Sequence, residues 1–342
     1  MNTNNIEIIS GFKFAEISDV VFSGVFLKKQ ISTLDLKDNI QDYIGDDEYV
    51  FVKKKILNIN ENDIIFCKTE YIKELFYLLN KCDLKNIKLI THQSDLKINK
   101  KMFMLKPKCI SKWYSINVDY KDSLLVPIPI GIANFHSKNL NESNFKELRS
   151  NNYFSNKNKL LYLNFNPNTN FSERKGLYSL FDKKWATLQV GTVSHDKYQK
   201  EISEHKFILS PWGNGIDTHR FWESLYSGSI PITKNHSYYS QFTSIPKVLV
   251  DNYEEINEEF LNNKFKEMSK NKIKFNNKEL DFSYWEKIIR DESENLATKE
   301  TVVIKNYFST YFRFIADAKH RIYSKLKIFN RLRRYIYKKF QI

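Results

Sequence analysis

Glycine and proline are scarce in this chain, nine and seven in 342 residues, and it carries no low-complexity block or internal repeat. Cysteine is scarcer still. Cys67, Cys82 and Cys109 are an odd number without metal-ligand spacing, which argues against a disulfide framework and for a reducing, cytoplasmic compartment. No apolar run approaches the roughly 20 residues of a membrane span. The opening MNTNNIEIISGFKF lacks the basic start and apolar core of a signal peptide. An Asp-x-Asp cluster is also missing; the acidic run GDDEY at 45–49 lies far from the motif described below. Hard divalent cations want carboxylate oxygens, so the expectation is metal-independent chemistry with no resident cofactor.

Hydrophobic residues make up 42% of the chain and aromatics 15%, enough for a folded interior and too much for wholesale disorder. The length suggests two domains or one large α/β unit. Net charge is +14, which points first to nucleic acid. Its distribution argues otherwise. Residues 301–342 hold eleven Lys or Arg against one Asp, leaving only +4 for the preceding 300. A nucleic-acid enzyme more often carries its basic residues on the folded body among exposed aromatics, so no nucleic-acid partner is expected.

The first half reads as short strands, DVVFSGVFL, YVFVKKKILNI and DIIFCKT, then a helix EYIKELFYLLNKC with Ile72, Leu75, Phe76 and Leu79 on one face. The apolar strand in NIKLITHQSD delivers His92, Ser94 and Asp95 to its carboxyl end. SLLVPIPIGI carries two prolines, which places its end at an edge or in a loop. A polar stretch, NESNFKELRSNNYFSNKNK, marks a boundary near residue 150. Beyond it, strands (LLYLNFN, ATLQVG, KFILSP, SIPIT, KVLVD) alternate with helices (SERKGLYSLF, SHDKYQKEISEH, DTHRFWESLYSG). This alternation is the signature of a parallel sheet in an α/β fold.

Three of the nine glycines fall within SPWGNGIDTHRFWESLYSGSIPI, residues 210–232. PWGNG reads as a turn between an apolar strand and a helix capped by Asp217 and closed by Gly228. Such a turn offers unpaired N–H groups and the positive end of a helix dipole to an anion. Arg220 and Glu223, three apart, share a helix face. A guanidinium suits a diphosphate, and a carboxylate suits a ribose diol. The plainer alternative is an ordinary strand–turn–helix connection with a surface ion pair.

FILSPWGNGIDTHRFWESLYSGSIPI resembles the nucleotide-sugar-binding segment of exostosin-like glycosyltransferases; LITHQSD, KWYSINV, PIPIGIAN and LYLNFNPNTNFSERKGLYSLF are also similar to that family. The resemblance covers residues 84–260, is specific over 206–232 and is loose before 84. It implies a GT-B-type fold, with two Rossmann-like domains facing a cleft. Residues 1–150 would be the acceptor side, 151–300 the nucleotide-sugar-binding domain, and 301–342 a basic amphipathic helical tail. It further implies transfer of a sugar from a nucleotide-sugar donor. By position Glu223 matches the carboxylate that holds the donor ribose, and Arg220 and Arg174 match basic residues near the diphosphate. Ser210, Gly213, Asn214, Gly215 and Asp217 complete the expected donor site. Where relatives often have a basic residue this chain has Trp212, which could stack on a base or sugar.

An inverting transfer needs a base within hydrogen-bond reach of the attacking hydroxyl. Asp95, with His92 next in line, is the candidate; a polar strand end that caps the next helix is the alternative. Gly131 is expected at a tight turn on the acceptor side, with Asn134 as an acceptor contact. Arg174 and Asn164 flank the loop after the first strand of the second half, a recurrent ligand position. His195 and Asp196 fit capping as well as donor contact. In the tail, Phe308, Phe312, Ile315, Ile322, Leu326, Phe329, Ile336 and Phe340 form one helical stripe with the basic residues mostly off it, a pattern suited to an anionic membrane. The expected protein is a cytoplasmic glycosyltransferase held at the inner face of the cell membrane. Its acceptor would be a surface polysaccharide, such as lipopolysaccharide, or a lipid-linked glycan. A noncatalytic carbohydrate- or nucleotide-binding module on the same fold, or a nucleic-acid binder using the basic tail, are the rivals.

Overall fold

The structure, a computed structural model, describes residues 7–34, 40–45, 49–133, 152–154, 157–290 and 301–306. Sixteen strands are seen among them. The first ten are β1 (Val20–Leu27), β2 (Ile40–Gly45), β3 (Tyr49–Lys54), β4 (Ile56–Ile59), β5 (Ile64–Lys68), β6 (Ile87–His92), β7 (Ile98–Asn99), β8 (Ile110–Ser115), β9 (Val118–Asp119) and β10 (Leu125–Pro127). The others are β11 (Lys159–Leu163), β12 (Ala186–Leu188), β13 (His205–Leu209), β14 (Ile230–Lys234), β15 (Val248–Val250) and β16 (Val302–Lys305).

Seven strands form one sheet in the order β10-β8-β6-β5-β1-β3-β2. Its five members from β1 to β10 are parallel, and β3 and β2 add an antiparallel edge. The run IKLITH of β6 is buried along its whole length, as a central strand covered on both faces requires. Even Lys88 is inside, its Nζ donating to the Ile289 carbonyl at 2.6 Å. The proline-bearing β10 lies at the edge.

The second sheet has five parallel strands in the order β12-β11-β13-β14-β15. In sequence terms this is 2-1-3-4-5, so the direction of winding reverses between β11 and β13. A crevice opens at such a reversal, outside the carboxyl ends of the two strands, and ligands of open α/β sheets bind there. The expected α/β class with parallel sheets is therefore present.

Three local expectations are corrected. SERKGLYSLF is two short helices, Phe171–Arg174 and Leu177–Leu180, because Gly176 between them is left-handed at φ +80. The helix His219–Tyr226 takes Thr218, not Asp217, as N-cap, while Gly228 closes it at φ +67. Residues 302–305, assigned to the head of a helical tail, form β16, which pairs antiparallel with β4. Their alternating pattern, with Ile304 buried and Val303 exposed, suits a sheet edge better than a helix face. Asn306 then donates to the buried Glu74, which also pairs with Lys53 at 3.1 Å. The tail stripe from Phe308 onward lies outside the described residues.

One continuous apolar core runs beneath both sheets, from Phe14, Ile90 and Trp113 to Phe221, Trp222 and Tyr238. All three cysteines are free. No helix among the described residues is long and apolar enough to cross a membrane.

Candidate functional site

The segment 211–219 leaves β13 and packs on the carboxyl ends of the first sheet. Three side chains hold it there. Asn117, left-handed at φ 55 and buried, donates through Nδ2 to the Ser94 carbonyl at 2.9 Å and accepts from the Asp217 N–H at 2.8 Å. Asn214 Nδ2 donates to Asp95 Oδ2 at 3.0 Å. His219 Nδ1 sits 2.8 Å from the Gly131 carbonyl.

The glycines of this segment serve that packing. A Cβ at Gly215 would stand 2.7 Å from the Asn117 side chain, closer than any side chain tolerates. Gly213, in ordinary contact range of Arg174, accepts at its carbonyl from Asn170 Nδ2 at 2.7 Å. Gly131 is left-handed at φ +67, and a Cβ there would lie 2.2 Å from the Ile9 carbonyl oxygen.

Asp217 is 4% exposed and lies at the centre of a donor cluster. Its Oδ2 accepts from Ile130 N at 2.8 Å, Tyr238 Oη at 2.7 Å and Trp222 Nε1 at 2.9 Å. Its Oδ1 accepts from Thr218 N at 2.9 Å and Tyr239 Oη at 3.3 Å. Burial pushes its carboxyl up, and the donors from Tyr238, Ile130 and Trp222 pull it back. Asp217, expected in the donor site, is held by these internal donors and lines neither of the cavities described below. Ser210 is likewise inside the sheet end, its N–H bonded to the Ile232 carbonyl at 2.8 Å.

A cleft of 640 Å³ opens at the reversal between β11 and β13. Arg174, Arg220, Glu223 and Asn164 line it, with Tyr198 and the first helical turn from Thr218. Glu223 accepts from Tyr198 Oη at 3.0 Å. Arg220 Nε is buried without a hydrogen-bond partner among the described residues. A buried guanidinium N–H with nothing to bind costs about 1–3 kcal/mol or more, and an anion in the cleft would remove that cost.

Arg174 is 5% exposed. Its Nε donates to the Trp212 carbonyl at 2.9 Å, Nη1 to Asn166 O at 3.0 Å and Nη2 to Pro211 O at 3.0 Å. Burial, and then Arg220 nearby, lower its guanidinium to about 10. It shapes the loop and adds positive charge to the cleft. Asn164 spends its Nδ2 on the Gln189 and Gly191 carbonyls. Trp212 stands nearly perpendicular to the His236 ring, with Lys97 Nζ 5.6 Å from its own ring centroid. His195 lines the cleft; Asp196 follows in the first turn of its helix.

A second cavity of 340 Å³ lies on the first-sheet side, lined by His92, Asp95, Glu70, Lys68 and Gln93. His92 Nδ1 accepts from the Gln93 N–H at 2.8 Å. Burial, then the repulsion of His219, lower its imidazole to about 3, although the Pro129 carbonyl favours the proton. With that lone pair taken, His92 is a neutral ring that has no free basic nitrogen. Asp95 is an exposed carboxylate at the rim. Ser94 donates to Glu70 Oε1 at 3.0 Å. Asn134 lies outside the described residues, next to Ala133, which borders the larger cleft.

Sequence reasoning missed two residues here. Asn117 carried no signal beyond its type, since its left-handed backbone is set by the turn after β8. His219 lines both cavities, and its place beside Arg220 in the motif was the available clue. Among the described residues no three His, Cys, Asp or Glu side chains gather as metal ligands. Comparison with protein-family models and with curated proteins finds no match for this chain.

Proposed function

We propose that the protein is a glycosyltransferase of GT-B type that binds a nucleotide sugar in the cleft at the β11/β13 reversal. One observation carries the reading: Arg220 keeps an unpartnered buried Nε in a cleft that also holds Arg174 and the Glu223 carboxylate, at the position where open α/β sheets take ligands. The two arginines and the helix start at Thr218 suit a diphosphate, and Glu223 suits a ribose diol. The smaller cavity on the first-sheet side takes the acceptor. The charge of residues 301–342 supports an anchor on an anionic membrane, close to a glycan or lipid-linked glycan acceptor at the inner face of the cell membrane. No metal is required in this scheme; the paired guanidinium groups neutralise the departing diphosphate.

The test is a panel of UDP-, GDP- and ADP-sugars scored by thermal shift and by release of nucleoside diphosphate. A binding donor stabilises the fold by mass action, and the effect should persist in EDTA. Glu223→Gln should weaken binding about ten- to a hundredfold, the worth of a charge-assisted hydrogen bond. Binding without turnover would favour the noncatalytic module, and wild-type affinity in Glu223→Gln would remove the donor from this cleft.

A further inference from the structure

The two cavities share one residue. His219 lines the smaller cavity together with His92 and Asp95, and the larger one together with Arg220 and Glu223. Its neighbour Gly131 fixes its tautomer: a carbonyl oxygen can only accept, so the 2.8 Å contact requires the proton on Nδ1. In the neutral ring Nε2 then carries the lone pair. No described residue is bonded to that nitrogen. A ring oriented by one backbone bond, with the opposite nitrogen bare, is the arrangement a general base needs.

The other candidates lack this combination. His92 uses its lone pair on the Gln93 N–H. Asp95 borders only the smaller cavity and is tied through Oδ2 to Asn214. Glu70 reaches the same cavity but is engaged by Ser94 and Lys68.

We propose that His219 Nε2 is the general base of the transfer, and that the smaller cavity presents a sugar hydroxyl to it. This rests on the glycosyltransferase reading above. The hydroxyl oxygen forms a bond to the anomeric carbon, and its proton passes to Nε2. The bond from that carbon to the diphosphate oxygen breaks, and its electron pair leaves with the nucleoside diphosphate. The displacement inverts the anomeric centre. Glu70, paired with Lys68, and Asp95 give the acceptor cavity the hydrogen-bonding groups that suit a polyhydroxylated acceptor.

Two variants of the full chain test this. His219→Asn keeps a donor near the Nδ1 position for the Gly131 carbonyl but has no basic nitrogen. His219→Ala leaves a hole that free imidazole can enter. UDP and GDP serve as binding probes. Turnover is followed with UDP-glucose, UDP-galactose, UDP-N-acetylglucosamine and GDP-mannose, using neutral octyl glycosides as acceptors. The expected result is nucleotide affinity within about twofold of wild type, turnover lowered roughly 10²–10⁴-fold in both variants, and recovery of His219→Ala by added imidazole. Turnover in His219→Asn within tenfold of wild type overturns the role of His219 and leaves the donor reading standing. Loss of nucleotide binding in both variants assigns the ring to architecture and also overturns it. A wild-type protein that binds neither probe and turns over no pair sinks the donor reading first, and His219 with it.

Discussion

Replacing Asp217 by Asn puts an amino group among neighbours that are themselves donors. Oδ2 faces Ile130 N, Tyr238 Oη and Trp222 Nε1; Oδ1 faces Thr218 N and Tyr239 Oη. The tyrosine hydroxyls can rotate to accept from the new amide, but the backbone N–H groups cannot. Whichever way the amide turns, one of Ile130 N or Thr218 N confronts an NH₂ group. An unsatisfied buried donor costs about 1–3 kcal/mol, and losing the charge assistance of the remaining bonds adds to it. The variant no longer buries a charge, which offsets part of the loss. The net expectation is about 2–4 kcal/mol of lost stability, read from urea unfolding with an unchanged slope. Asp217→Ala, which strands Ile130 N, Thr218 N and Trp222 Nε1, should be worse; the two tyrosine hydroxyls keep the Ile128 and Ile216 carbonyls as acceptors. Because Ile130 follows β10 of the first sheet and Asp217 follows β13 of the second, the loss should also loosen the contact between the sheets. An Asp217→Asn protein that unfolds within about 0.5 kcal/mol of wild type, yet no longer binds nucleotide, would refute this account and restore Asp217 as a donor ligand.

His92 gives a pH dependence. Its imidazole is lowered to about 3 in the fold, chiefly by burial, against about 6.5 unfolded. The unfolded chain therefore binds a proton between these values that the folded one does not, so its contribution is complete above about pH 6.5 and is lost on acidification. By pH 5 the loss should reach about 2 kcal/mol, and His92→Gln should unfold with a visibly flatter dependence over that range; equal slopes would show that the ring is not buried neutral. For the tail, a chain ending near Lys319 should stay folded and lose binding to anionic liposomes at moderate salt. Full-length protein that ignores those liposomes, or a truncated form that binds equally well, would remove the membrane role.

Much of the architecture could be read from periodicity. The runs from DVVFSGVFL to KVLVD are apolar with breaks at polar or glycine residues, and strands stand at most of them. A parallel sheet follows from the alternation of such runs with helices, because a crossover of that length returns the chain in the same direction. Arg220 and Glu223 could be placed on one helix face from their spacing alone, and the cleft contains both.

Tertiary structure decided the rest. Strand order is not written in local pattern, so the reversal at β11/β13 that opens the cleft appears only when the strands are paired. Asp217 looked like a helix cap because capping is a local property. Its actual partners, Ile130, Tyr238 and Tyr239, include one from 87 residues earlier in the chain. Gly215 is glycine because Asn117, distant in sequence, stands where a Cβ would be. His219 is held by the Gly131 carbonyl and lines two cavities, neither of which its own segment could reveal. The sequence alone determined which elements form and which residue types share a face. Long-range packing determined which side chain lines a cavity and which is consumed by its neighbours, because burial and hydrogen-bond saturation are properties of the assembled core and not of any segment.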